Sequence, residues 1–120
     1  MHLVAYQLVW CPLRRRRVLV GQVAADCERI VGEVCAEHGW EVIRLAVAPD
    51  HVHLFVRADP LTAAHVVARA VKGRTSRLLR ETHRELLGMA SLWTRSYFCS
   101  TVGNVSQATV DRYIAAQIGR

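Results

Sequence analysis

A short alternating stretch in the middle of the chain most constrains the fold. Residues 49–56 read Pro-Asp-His-Val-His-Leu-Phe-Val. The Pro-Asp pair favours a turn, and the β-branched and aromatic residues that follow favour a strand. Because side chains alternate between the faces of a strand, His51 and His53 share one face, and the aliphatic residues between them share the other. The sequence therefore predicts a strand with an aliphatic face on a core and an imidazole face directed away from it.

The imidazole face admits two interpretations. Two neutral imidazoles side by side can bind a divalent metal ion, because each offers a ring-nitrogen lone pair. A bare His-x-His pattern is nevertheless more often a pair of half-exposed residues that make ordinary hydrogen bonds. The choice between them depends on what the rest of the chain brings to this face.

Length and composition indicate one folded domain over residues 1–120. A chain of 120 residues with 52% hydrophobic residues is large enough for a single core. No apolar run reaches the length of a membrane span, and the first residues lack the features of a signal peptide. We therefore expect a cytoplasmic protein without a membrane partner. Its four cysteines show no Cys-x-x-Cys spacing, so packed free thiols are expected rather than disulfides or a zinc site.

The charge favours a polyanionic partner. The formal net charge is +6 and the sequence pI is about 9.8, which favours nucleic acid. Two clusters are candidates for binding phosphates, although a solvated loop and a solvated helix junction explain them almost equally well. The first cluster is Arg14, Arg15, Arg16 and Arg17, and the second is Lys72, Arg74, Thr75, Ser76 and Arg77.

The order of the predicted elements indicates an α+β fold. Asp59 and Pro60 are typical of a helix start, and Gly73 is expected to end or kink that helix, with a second helical piece over 74–79. Leu86 to Ser91 is expected to be a loop. The other elements are a strand over 2–10, a helix over 22–38, strands over 41–47 and 51–56, a strand over 93–102 and a last helix from about Gln107.

This order matches the ferredoxin-like βαββαβ arrangement, in which two helices cover one face of an antiparallel four-stranded sheet. The helices should cover the aliphatic face of the central strand. His51 and His53 then lie on the open face, which the additional C-terminal helix can reach.

The last helix supplies a phenol and an amide. Tyr113 and Gln117 are four residues apart, so they project from one side of the helix. Alone, they would indicate an amphipathic helix whose tyrosine packs on the sheet. Together with His51 and His53, they form a set in which two nitrogens and an amide oxygen bind Mg²⁺ or Mn²⁺ and a phenol attacks phosphorus. Tyr6 and Tyr97 are weaker candidates for the nucleophile, since each lies on a predicted strand.

Motifs along nearly the whole chain support that combination. In these motifs the chain resembles the single-tyrosine HUH transposases of the insertion-sequence 200/605 family. The matching stretches are Leu8-Val9-Trp10-Cys11-Pro12 with the arginines that follow, Pro49-Asp50-His51-Val52-His53-Leu54, Lys72-Gly73-Arg74-Thr75-Ser76, Leu92-Trp93, Tyr97-Phe98, Ser100-Thr101-Val102-Gly103 and Tyr113-Ile114-Ala115-Ala116-Gln117.

The resemblance implies a homodimer that recognises hairpins at the ends of a single-stranded DNA element. Such enzymes cut through a 5′-phosphotyrosine and a free 3′-hydroxyl, then rejoin strands. The resemblance assigns His51, His53 and Gln117 as metal ligands and Tyr113 as the nucleophile, in its own or its partner's site. Ala115 replaces an acidic residue common in the family, and Thr75 replaces a common serine.

Two other functions fit part of the pattern. A domesticated relative could bind nucleic acid on its sheet without cutting it, as RNA-recognition domains do. An HUH replication initiator is also compatible with the histidine motif. Relaxases usually place the tyrosine before that motif, whereas Tyr113 follows it here.

Overall fold

The computed structural model describes residues 4–101 and 107–117. These residues form three helices and four strands, together with short 3₁₀ turns at Leu13–Arg15 and Arg84–Gly88. In chain order they are β1 (Val4–Trp10), α1 (Gly21–His38), β2 (Glu41–Ala48), β3 (His51–Ala58), α2 (Ala64–Thr82), β4 (Phe98–Thr101) and α3 (Gln107–Ala116).

The strands form one sheet in the order β2-β3-β1-β4, with every neighbouring pair antiparallel. The larger core joins α1 and α2 to one face of this sheet, whereas Ile114 of α3 packs with Val9 and Cys11 in a separate cluster. The predicted ferredoxin-like α+β fold is confirmed. None of the helices in the part of the chain that the structure describes is long and apolar enough to cross a membrane.

Strand β3 alternates as its sequence predicts. Val52, Leu54 and Val56 are fully buried in the larger core, while His51 and His53 are half-buried on the opposite face. Leu8 and Trp10 of β1 lie opposite Leu54 and Val52 in the register and belong to the same core. Burial of aliphatic side chains on one side therefore fixes which face carries the imidazoles.

The predicted start of the second helix was wrong. Helix α2 begins at Ala64, because the Asp59 carboxylate instead closes a turn. It accepts hydrogen bonds from the Leu61 backbone N–H at 2.9 Å and from the Thr62 hydroxyl at 2.7 Å. An Asx turn thus competes with a helix cap for the same side chain. The predicted break at Gly73 was also wrong, since α2 continues through it to Thr82.

The predicted last strand was too long at its beginning. Strand β4 begins at Phe98, and Trp93 forms only an isolated bridge with Pro12. The Trp93 indole N–H donates to the Thr75 hydroxyl at 2.9 Å and to the Lys72 carbonyl at 3.1 Å. Side-chain burial therefore fixes residues 92–94 against α2 and removes them from the sheet. Val102, where the predicted strand ends, lies outside the described residues.

The predicted loop over 86–91 is partly helical, because the 3₁₀ turn at Arg84–Gly88 extends into it. The cysteine prediction is confirmed, since Cys11, Cys27, Cys35 and Cys99 are all free. Burial raises the pKa of the Cys11 and Cys27 thiols to about 12 and that of Cys35 to about 11. These thiols therefore stay protonated and serve as small apolar core groups.

The uninterrupted course of α2 through Gly73 predicts that Gly73→Ala stabilises the protein by about 0.5–1 kcal/mol, because alanine has the higher helix propensity. No atom of another element lies within 4 Å of the position its Cβ would take. Gly39→Ala is the matched contrast. Gly39 ends α1 with φ +73°, so the same substitution should destabilise the protein by about 1 kcal/mol. Urea unfolding of both variants measures the two effects. A destabilised Gly73→Ala variant would contradict an uninterrupted helix at Gly73.

Candidate active site on the open sheet face

His51 is oriented by a buried carboxylate. Its Nδ1–H donates to Asp50 Oδ1 at 2.9 Å, and Arg15 Nε lies 2.9 Å from Asp50 Oδ2. A carboxylate in an ion pair only accepts hydrogen bonds, so the proton of the neutral ring resides on Nδ1. The Nε2 lone pair of His51 is then the one available to a ligand. Asp50 and Arg15 therefore support His51 in the way that outer groups orient metal-binding histidines.

His53 is favoured in its neutral form. Burial, followed by the nearby Arg44 and His51, lowers the pKa of His53 below its ordinary value. Its Nε2 lies 3.1 Å from Gln7 Oε1, on the neighbouring strand β1. A neutral imidazole is the form that binds metal ions. A metal ion at Nε2 would replace this contact with Gln7.

Helix α3 lies on the same face as the two histidines. Val9 of β1 pairs with His53 in the sheet register, so the two side chains share a face. Ile114 of α3 is buried against Val9 and Cys11. The Tyr113 ring packs on Phe98 of β4 with centroids 5.9 Å apart. The helix that contains Tyr113 thus covers part of the imidazole face.

Ser96 connects Tyr113 with Gln117. Its hydroxyl donates to Gln117 Oε1 at 3.1 Å and lies 3.3 Å from the Tyr113 hydroxyl. The Gln117 side chain is almost completely buried and also donates to the Tyr113 carbonyl at 3.4 Å. The sequence analysis did not include Ser96. The signal available was a hydroxyl residue directly before the Tyr97-Phe98 motif.

Lys72 holds the segment that carries Ser96. Its ammonium group donates to the carbonyls of Thr94, Arg95 and Ser96 at 2.8, 3.2 and 3.3 Å. Burial lowers the pKa of Lys72, and the carbonyl dipoles offset part of the cost of burying its charge. Lys72 therefore has a structural role in fixing this segment, besides its predicted role in binding phosphate.

The other candidate phosphate-binding residues have different environments. Thr75 is fully buried and its hydroxyl donates to the Val71 carbonyl at 2.7 Å, so we assign it to packing of α2. Arg74 forms an ion pair with Glu37 at 2.7 Å, and Arg77 lies 3.9 Å from Glu81. Exposed to solvent are Arg14, Arg16, Arg17 and Arg77, whereas Arg15, Lys72, Arg74 and Ser76 are partly buried.

The two rival tyrosines belong to other environments. The Tyr6 hydroxyl donates to the Thr62 carbonyl at 2.9 Å. The Tyr97 ring lies 5.9 Å from the Lys72 ammonium group, and burial raises the pKa of Tyr97. Tyr113 is the tyrosine whose hydroxyl lies beside the hydroxyl that binds Gln117.

A metal site on this face requires an amide ligand. Within residues 4–101 and 107–117, no three His, Cys, Asp or Glu side chains form a group that could hold a metal ion. His51 and His53 supply imidazole nitrogens, and the Gln117 amide on α3 has an oxygen of the type that Mg²⁺ and Mn²⁺ accept. In donor chemistry this set suits such an ion, and in this structure Gln117 Oε1 accepts the hydrogen bond from Ser96.

Comparison with known proteins identifies the family. The chain matches the family model described as "Transposase IS200 like" over residues 1–117. It therefore belongs to the IS200-like transposase family, as its motifs indicated. Its general function is that of a DNA-processing transposase.

Relatives and solved structures agree with this assignment. The chain is 37% identical over 115 residues to the ISDra2 transposase TnpA of Deinococcus radiodurans, covering 93% of this chain and 82% of that protein. It is 24% identical over 116 residues to the IS200 transposase of Salmonella typhimurium, covering 94% and 76%. A crystal structure of a Deinococcus radiodurans protein assigned as a transposase superposes with a TM-score of 0.92 at 29% identity, covering 100% of this chain and 95% of that one.

A second solved structure shares the fold at lower similarity. It is a REP-associated tyrosine transposase bound to a REP hairpin, with a TM-score of 0.61 and 14% identity. The alignment covers 92% of this chain and 61% of that protein.

The contacts of Ser96 predict that Ser96→Ala loosens α3. Loss of a hydrogen bond worth about 1 kcal/mol should accelerate amide exchange in α3 roughly five- to tenfold. Exchange in β1 and β3 should stay unchanged, as measured by hydrogen–deuterium exchange with mass spectrometry. Ser91→Ala is the control, because the Ser91 hydroxyl donates to the Trp93 carbonyl in the same connection. Equal effects of both substitutions on α3 would show that Ser96 does not hold the helix.

Proposed function

We propose that this protein is a metal-dependent transposase that cuts and rejoins single-stranded DNA, with Tyr113 as the nucleophile. His51, His53 and Gln117 are its proposed ligands for Mg²⁺ or Mn²⁺. The observation that supports this most directly is the contact of Ile114 with Val9, which lies beside His53. It brings the phenol-bearing helix to the imidazole face within one chain.

The proposed reaction exchanges one phosphate ester for another. The Tyr113 oxygen attacks phosphorus and loses its proton, while the bond between phosphorus and the 3′ oxygen breaks. The 3′ oxygen takes up a proton and leaves as a hydroxyl, and the 5′ end stays joined to the tyrosine. A 3′-hydroxyl from a second strand then attacks the phosphotyrosine and restores the phenol. When bound, the metal ion supplies stabilisation of the charge on the phosphate oxygens.

The surrounding side chains have positioning roles in this proposal. Ser96 orients the Tyr113 hydroxyl and the Gln117 amide through its hydrogen bonds. Asp50 holds Nδ1 of His51 and so leaves Nε2 for the metal. Arg15, from the basic run, neutralises Asp50.

The proposed DNA substrate carries hairpins at the ends of the element, and the proposed active form is a homodimer. Family membership and the net charge of +6 support a DNA partner. A structural relative is bound to a hairpin, which supports the same mode of recognition for this chain.

Tyr113→Phe should abolish the covalent protein–DNA adduct and leave DNA binding nearly unchanged, because the ring that packs on Phe98 is retained. The measurement is a denaturing gel with single-stranded DNA that carries the native element ends and Mn²⁺. A 3′ label reports the adduct, and a 5′ label reports the fragment with a free 3′-hydroxyl. Tyr97→Phe and Tyr6→Phe are matched controls that should keep the adduct. Persistence of the adduct in Tyr113→Phe would refute the nucleophile, and hairpin binding by wild type without any adduct would favour a binding protein.

His51→Ala and Gln117→Ala should remove Mn²⁺-dependent cleavage, because each deletes a proposed ligand. Asp50→Asn should weaken Mn²⁺ binding about 10- to 100-fold by removing the carboxylate that orients His51. Isothermal titration calorimetry with MnCl₂ and the cleavage gel measure the two effects. Asp26→Asn is the control, because Asp26 contacts His83 at 2.8 Å, a histidine outside the proposed ligand set. Undiminished cleavage by wild type in excess chelator would exclude a role for the metal.

A further inference from the structure

A basic groove lies between α2 and the connection that leads to β4. It has a volume of about 450 Å³, comparable to pockets that enclose small organic ligands and too small for a duplex. Its lining contains no aspartate or glutamate. The lining residues that the inference uses are Arg69, Lys72, Arg95 and Tyr97.

The positive charges of the groove are not neutralised by carboxylates. Arg69 and Arg95 are exposed, and neither forms an ion pair with any residue that the structure places. Arg74, on the same helix as Arg69, is bound to Glu37. The Lys72 ammonium group contacts three carbonyl oxygens. Because carbonyl groups carry no net charge, the lysine still contributes a full positive charge to the groove. Such a concave, single-sign surface attracts phosphate.

An aromatic ring lines the same groove. Tyr97 is half-buried, and its ring lies 5.9 Å from the Lys72 ammonium group. Positive charge along a groove combined with an aromatic surface is the arrangement that binds single-stranded nucleic acid, because every base has a face that can stack. A groove that bound only inorganic anions would not need the ring.

We propose that this groove binds single-stranded DNA, with Arg69 and Arg95 on phosphates and Tyr97 against a base. This rests on the proposed function, because it specifies where the DNA strand lies on approach to Tyr113. Arg95 is adjacent to Ser96, whose hydroxyl lies 3.3 Å from that of Tyr113. The groove and the proposed nucleophile therefore contact the same short segment of the chain.

The test is fluorescence anisotropy of labelled oligothymidylate in EDTA, over a range of salt concentrations. Oligothymidylate forms no hairpin, and EDTA prevents metal-dependent cleavage. Arg69→Ala and Arg95→Ala should each weaken binding about 5- to 10-fold and reduce the magnitude of the salt slope by about 0.7. Arg84→Ala removes the same charge from an exposed site outside the groove and should change affinity less than twofold. Tyr97→Leu should weaken binding about 5- to 100-fold, and Tyr97→Phe should not.

Equal losses of affinity in the Arg69, Arg95 and Arg84 variants would contradict binding in the groove, since affinity would then depend on net charge alone. Failure of the wild-type protein to bind oligothymidylate would also overturn it, as would equal binding of duplex DNA. The adduct gel separates this result from the proposed function. If wild type forms the Tyr113 adduct and the groove variants bind DNA normally, only the proposed groove is contradicted. If binding depends on the groove but no adduct forms, only the proposed cleavage chemistry is contradicted.

Discussion

The contact between the Lys72 ammonium group and three successive carbonyls determines the course of the chain between Trp93 and β4. That segment forms no regular ladder, so its backbone acceptors need a partner from elsewhere. The partly buried Lys72 supplies one, and its charge is itself stabilised by the carbonyl dipoles. The position of Ser96, and through it the contacts of Tyr113 and Gln117, follows from this arrangement.

Local patterns predicted the parts of the fold that depend on one element at a time. The alternation around His51 and His53 predicted both faces of β3, because burial of the aliphatic face leaves one register. The start of α2 was not predictable from Asp59 alone, since the same carboxylate can close a turn or cap a helix. The start of β4 depended on the long-range burial of Trp93, which no local pattern reports.

The sequence supplied the candidate residues of the site but not the contacts that support them. His51, His53, Tyr113 and Gln117 follow from spacing and from the family motifs. Arg15 pairs with Asp50, whereas the other arginines of the same run are exposed. The sequence of the run does not indicate which arginine makes this contact. Arg14 and Arg15 have φ of 59° and 54°. A run of four identical arginines gives no sequence signal for such a left-handed turn.

Lys72 has a consequence for how mutations in this protein should be interpreted. One side of the segment it holds faces the basic groove, and the other carries the hydroxyl that contacts the phenol. A substitution at Lys72 would therefore disturb the proposed groove and the proposed nucleophile together, so a single defect would resemble a binding mutant in one assay and a chemical-step mutant in another.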